Sequence, residues 1–199
     1  MEVFKNALQA LRQSFLDQRN PTERCQVEKR QTRYDYRSGP MKFLGQQLVK
    51  TMEDSGFPAF IHCHIRTPEE QNQVFFLGNS RAKAWGSPHQ FGEAVDIVHP
   101  SFYWHVSPEY WETLQAAVGV VENKFSVKLI HGKRDWGWDS AHIQLADWKQ
   151  FKAEIGNNRP TQTQLDQRFA DVLPNVWKRF ATNPKNDSKS LRFIVKRAP

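Results

Sequence analysis

The ten residues Ser87–Asp96, SPHQFGEAVD, constrain this chain more than any other stretch. Pro88 and the glycines Gly86 and Gly92 punctuate it, so His89 belongs to a loop. Gly92 permits a sharp turn, and residues 93–98, EAVDIV, then read as a strand. Strand alternation puts Ala94, Asp96 and Val98 on one face and Glu93, Val95 and Ile97 on the other. The stretch therefore delivers a histidine from a loop and an aspartate from a strand. Glu93, pointing away from Asp96, is expected at the surface.

Around this stretch the pattern alternates short strands with helices. Strands are expected at 59–65, 93–98, 127–130 and 142–145. A helix from Pro40 carries Phe43, Leu44, Leu48 and Met52 on one face and ends at Gly56. Thr67-Pro68-Glu69-Glu70 is a capping box with proline at the first helical position, which places Arg66 at a strand-to-helix junction. A helix over 108–123, begun at Ser107, shows the stripe Tyr110, Trp111, Leu114, Ala117, Val118 and Val121. Residues 132–138 read as a Gly/Trp-rich loop. Val3, Phe4, Ala7, Leu8, Leu11 and Phe15 share a helical stripe, residues 20–39 read as polar loop, and Leu165, Phe169, Leu173, Val176 and Phe180 give a helical pattern broken at Pro174. The expected class is α+β, a small, mainly antiparallel sheet with flanking helices. Two regions are expected: 1–154, with the motif-bearing core at about 43–148, and a basic C-terminal extension, 155–199.

Charge follows the same division. The chain of 199 residues has a formal net charge of +7. Residues 155–199 hold nine Lys/Arg against three Asp, which accounts for +6 of it. Such a tail suits an anionic cell-envelope polymer; nucleic acid is the less favoured partner. The N-terminus lacks the basic start and apolar run of a secretory signal, and no apolar stretch approaches the ~20 residues of a membrane span, so synthesis and retention in the cytoplasm are expected. The two cysteines, Cys25 and Cys63, form no CxxC pair and are expected as free thiols.

The chemistry concentrates in SPHQFGEAVD and in Asp139-Ser140-Ala141-His142. Together they offer two histidines and two aspartates near strand ends. A catalytic zinc takes three protein ligands and keeps a fourth position open, and a nearby carboxylate serves as base. Seven histidines are present, and His62, His64, His99, His105 and His131 compete on spacing alone.

The decapeptide resembles the SxHxxGxAxD signature of the M15 zinc peptidases, with every fixed position met: Ser87, His89, Gly92, Ala94 and Asp96. Asp139 to His142 is similar to that family's downstream acid-x-x-His element, in its phage endopeptidase form. Ile65-Arg66-Thr67 with Gln71 resembles the upstream Arg…Gln element. The resemblance implies the hedgehog/DD-peptidase-like fold, with one Zn2+ held by His89, Asp96 and His142. It implies Asp139 as general base, Arg66 as oxyanion partner, and Ser87 and Gln71 as substrate contacts. The activity it implies is hydrolysis of peptidoglycan stem peptides, as an endolysin-type L-Ala–D-Glu endopeptidase acting on the cell wall. The alternatives are a D-Ala-D-Ala carboxypeptidase or dipeptidase, or a non-catalytic virion or nucleic-acid-associated module. Three positions depart from the pattern: Ile65 stands where an aromatic is common, Ala141 where Pro or Trp often precedes the histidine, and Gln144 where an acid or aromatic often follows it. Trp85, Trp136 and Trp138 flank the motifs, as cleft wall or core.

Overall fold

Alternation of apolar residues decides which way each strand faces, and four short strands do so consistently. A computed structural model describes residues 39–182. The expected N-terminal stripe, Cys25, the side chain of Phe180 and the basic residues after Asn183 lie outside the described residues.

The elements run α1 (Pro40–Asp54), β1 (Phe60–Cys63), α2 (Pro68–Phe76), a 3-10 turn (Pro88–Phe91), β2 (Ala94–Val98), α3 (Pro108–Phe125), β3 (Leu129–His131), α4 (Gly132–Trp136), β4 (His142–Leu145), α5 (Trp148–Ile155), α6 (Gln162–Val172) and α7 (Pro174–Thr182). The strands form one sheet in the order β1-β2-β4-β3, antiparallel throughout. This is the α+β class expected, with helices flanking a small sheet.

One face of the sheet, with Ile61, Val95, Ile97, Leu129, Ile143 and Leu145, is buried under α1 and α3 in the main core. Leu44, Leu48 and Met52 of α1 and Leu114, Val118 and Val121 of α3 supply the other half. The opposite face carries Asp96 and His142 as directly paired residues of neighbouring strands. Tight packing on one face thus fixes the strands so that the other can be polar and still rigid.

Three features differ from the sequence expectation. Residues 132–136 form a helical turn inside what reads as loop, and α5 adds a helix through Trp148 and Phe151, which pack on Phe91 and Leu165. Glu93 is not at the surface: it is fully buried and takes three hydrogen bonds from Arg168 of α6. Alternation removes Glu93 from Asp96's face, as expected, but it leaves open what covers the far side. Here α6 covers it, with Phe169 in the main core and Arg168 also bound to Asp147. Residues 162–172 therefore pack as part of the globular body.

Candidate active site

Each candidate residue is set by a local feature of the chain. The strand pairing Asp96↔His142 brings a carboxylate and an imidazole together on the open face of the sheet. His89 arrives from the 3-10 turn, which ends at Gly92 in the left-handed conformation (φ 71°), a geometry that costs glycine little. A register shift between Ile61 and Cys63 brings Cys63 opposite Asp96.

Three atoms converge. His89 Nε2 lies 3.2 Å from His142 Nδ1 and 3.2 Å from Asp96 Oδ1, and His142 Nδ1 lies 3.1 Å from Asp96 Oδ1. Tetrahedral zinc with bonds of about 2.0–2.1 Å separates its ligand atoms by roughly 3.3–3.4 Å, so this triangle nearly matches one face of such a site. The outer nitrogens are committed elsewhere. His89 Nδ1 is 3.1 Å from the His64 carbonyl oxygen, and His142 Nε2 is 2.9 Å from Gln144 Oε1. A carbonyl oxygen can only accept, so the ring protons sit on those outer nitrogens and the inner lone pairs face one another. Two lone pairs and a carboxylate oxygen at this spacing require a cation or a shared proton between them.

The electrostatics agree. Burial pushes the His89 imidazolium down to about 4, so this ring is neutral at pH 7 and its lone pair is free. Asp96 is held well below the usual carboxylate range: burial works against its charge, but His89 and His142 outweigh it. Burial likewise opposes charge on His142, and its bond to Asp96 wins and raises it.

Cys63, His89 and Asp96 also have possible ligand atoms lying within 4.8 Å of one another, so this trio is a second group able to hold a metal ion. Burial pushes the Cys63 thiol up to about 12, which keeps it neutral. Its sulfur takes a contact from Arg66 Nη2 at 3.5 Å and lies 3.6 Å from His89 Nδ1, the nitrogen already turned to His64. The triangle with His142 is therefore the better donor set.

Asp139 lines the same cleft. Its backbone is left-handed (φ 55°), and its carbonyl oxygen accepts from the His142 N–H at 3.1 Å, so the Asp-x-x-His spacing is one closed turn leading into β4. Gly132 makes room for that turn: a Cβ there would sit 2.3 Å from the Asp139 oxygen. Burial raises the Asp139 carboxyl to about 6, with the nearby Asp96 adding to the effect.

Arg66 bonds Asp96 Oδ2 at 3.3 Å and Gln71 Oε1 at 2.9 Å. Gln71 is fully buried and spends its Nε2 on Ser80 Oγ and the Ala82 carbonyl. Both ends of its amide thus have partners inside the protein, which tie Arg66 to the 80–82 loop. Ser87 lines the cleft, and its backbone N–H reaches Gln90 Oε1 at 3.4 Å. Of the flanking tryptophans, Trp136 stacks on His142 (5.5 Å, 28°) and on Trp138, both lining the cleft, whereas Trp85 packs in the small core around Phe91. The cleft encloses about 930 Å³, room for a peptide segment.

Of the competing histidines, His62 also lines the cleft, and three others are turned to the backbone. His64 Nε2 meets the Gly92 carbonyl, His131 Nε2 meets that of Ser140, and His99 Nδ1 accepts from the N–H groups of Ser101 and Phe102. Sequence reading missed Gln144 and the His64 carbonyl as partners of the ligand rings. Gln144 was visible only as a departure from the family pattern, although its position two after His142 on a strand puts it on the same face.

No protein-family model and no curated protein matches the sequence. Among solved structures, the chain is similar to the crystal structure of the Serratia marcescens L-Ala D-Glu endopeptidase ChiX, at 20% identity and a TM-score of 0.45, covering 65% of this chain and 91% of that one.

Proposed function

We propose that this chain is a zinc-dependent peptidoglycan peptidase, an endopeptidase of the M15 type that hydrolyses the L-Ala–D-Glu bond of stem peptides. The observation that carries this reading is the convergence of His89 Nε2, Asp96 Oδ1 and His142 Nδ1 at 3.1–3.2 Å, with a free carboxyl group, Asp139, in the same cleft. The motif resemblance supplies the substrate class.

His89, Asp96 and His142 would hold the ion. A zinc ion held there would supply a bound water with its pKa lowered to about 7 and polarisation of the carbonyl oxygen. Asp139 would take the proton of the attacking water and hand it to the leaving amine. A carboxyl near pH 6 is suited to both, because it is ionised at pH 7 yet still basic. Arg66 orients Asp96 and keeps further N–H groups for the oxyanion. Gln71 holds Arg66 in place. The basic residues after Asn183 are suited to retaining the enzyme on anionic wall polymers.

The direct test is mass spectrometry of the fragments released from purified peptidoglycan, with and without a chelator. New L-Ala carboxyl ends and D-Glu amino ends, lost on chelation and restored by zinc, are the expected result. Release of free D-Ala instead would move the activity to a carboxypeptidase. If no peptide is released by zinc-loaded protein from several wall types, the peptidase reading is wrong.

A further inference from the structure

Two cationic side chains that line the cleft, Arg81 and Lys149, have no task in the chemistry above, and Arg81 is the one held against an aromatic face. The Arg81 guanidinium lies 4.2 Å above the Trp138 ring, and both residues line the cleft. Among the described residues Arg81 has no carboxylate or hydrogen-bond partner, so its N–H donors are available to a ligand. It is nevertheless held in place. Gln71 bonds the residues on either side of it, Ser80 and Ala82, at 2.9 and 2.6 Å, and the same amide holds Arg66. The tryptophan face fixes the guanidinium plane from below. From Trp138 the stack continues to Trp136 and on to His142, and Trp138 directly precedes Asp139. Arg81 is therefore an unpaired, pre-positioned cation resting on the residue that precedes the proposed base.

We infer that Arg81 determines specificity by binding a free carboxylate on the residue next to the scissile bond. This rests on the peptidase reading above and narrows it. In an L-Ala–γ-D-Glu segment the chain continues through the γ-carboxyl, which leaves an α-carboxylate beside the bond to be cut. The enzyme then favours stem peptides in which that carboxylate is free over those in which it is a carboxamide. A planar guanidinium matches a carboxylate in two parallel hydrogen bonds, whereas a carboxamide presents it with only one acceptor oxygen.

The test compares L-alanyl-γ-D-glutamyl-L-lysine with its α-carboxamide on the full-length, zinc-loaded protein and on Arg81→Gln. Binding is read by calorimetry and cleavage by kcat and KM. The unsubstituted protein should bind the carboxylate peptide about tenfold more tightly, with kcat similar for the two. Arg81→Gln should erase that preference by weakening only the carboxylate peptide. Arg81 is exposed, so the variant is expected to fold normally. Equal weakening of both peptides, no weakening of either, or an unsubstituted protein indifferent to the carboxylate would overturn the inference. Carboxylate-selective, Arg81-dependent binding without cleavage would uphold it and defeat the peptidase reading, whereas cleavage without selectivity would do the reverse.

Discussion

Asp139 and His142 close one turn and are adjacent in the cleft, yet their substitution should have different consequences. Asp139→Asn keeps the shape and all three converging donors. It should retain zinc by elemental analysis and lower kcat by about 10²–10⁴-fold. In metal-free protein the same change should raise Tm at pH 7–8. The Asp139 carboxyl is raised from 3.8 to about 6 in the fold, so ionising it costs stability above that pH, and the amide has no charge to bury. His142→Ala should lose both zinc and activity. Gln144→Leu removes only the acceptor of the His142 Nε2 proton, and metal titration should show affinity weakened about 10–100-fold.

At the level of elements, β2 connects chemistry to scaffold. Asp96 faces the cleft, while Glu93, just before the strand, is buried on the other side against Arg168 of α6. Burial pushes the Glu93 carboxyl up to about 7 even against the pull of Arg168. Arg168→Leu leaves this acid buried and unpaired, and denaturant unfolding should show a loss of about 3–5 kcal/mol. Arg168→Leu combined with Glu93→Leu should recover much of that loss, because no uncompensated charge remains. The α4 turn has a comparable dependency, since Gly132→Ala would drive a methyl group into the Asp139 carbonyl. That variant should lose activity through displacement of the 137–139 turn, with zinc binding reduced less than in His142→Ala.

For the molecule as a whole, the titrations of the cleft set the pH response. With Asp139 as the proposed base, the rate should fall as pH drops through about 6 or somewhat lower, since a bound cation would pull that carboxyl down further. Acidification should also release the metal as His142 takes up an inner proton, since its Asp96 bond favours the protonated ring. A pH profile of kcat/KM at saturating zinc, set beside zinc retention over the same range, checks both. A rate that stays flat down to pH 4 would remove Asp139 from the proton-transfer role.

Much of this was legible in the residues themselves. The capping box at Thr67, the turn at Gly92 and the alternation of residues 93–98 are local rules, satisfied by neighbours a few residues apart. They placed Arg66 at its junction, His89 in a loop and Asp96 on a strand face. Spacing could not choose His142 over His62, His64 or His131, and only the family resemblance did so. Strand pairing now supplies a physical reason, because Asp96 and His142 are cross-strand neighbours while His64 and His131 turn to backbone carbonyls.

The sequence by itself determined the class of fold, the strand that carries Asp96 and the strand that begins at His142, because periodicity acts over a few residues. Only the tertiary structure decided that Glu93 is buried and that Gln71 ties Arg66 to the 80–82 loop. It also decided that Gln144 and the His64 carbonyl turn the two rings inward. Each of these depends on a partner supplied from another part of the fold, and for Glu93 that partner, Arg168, is 75 residues away in the chain.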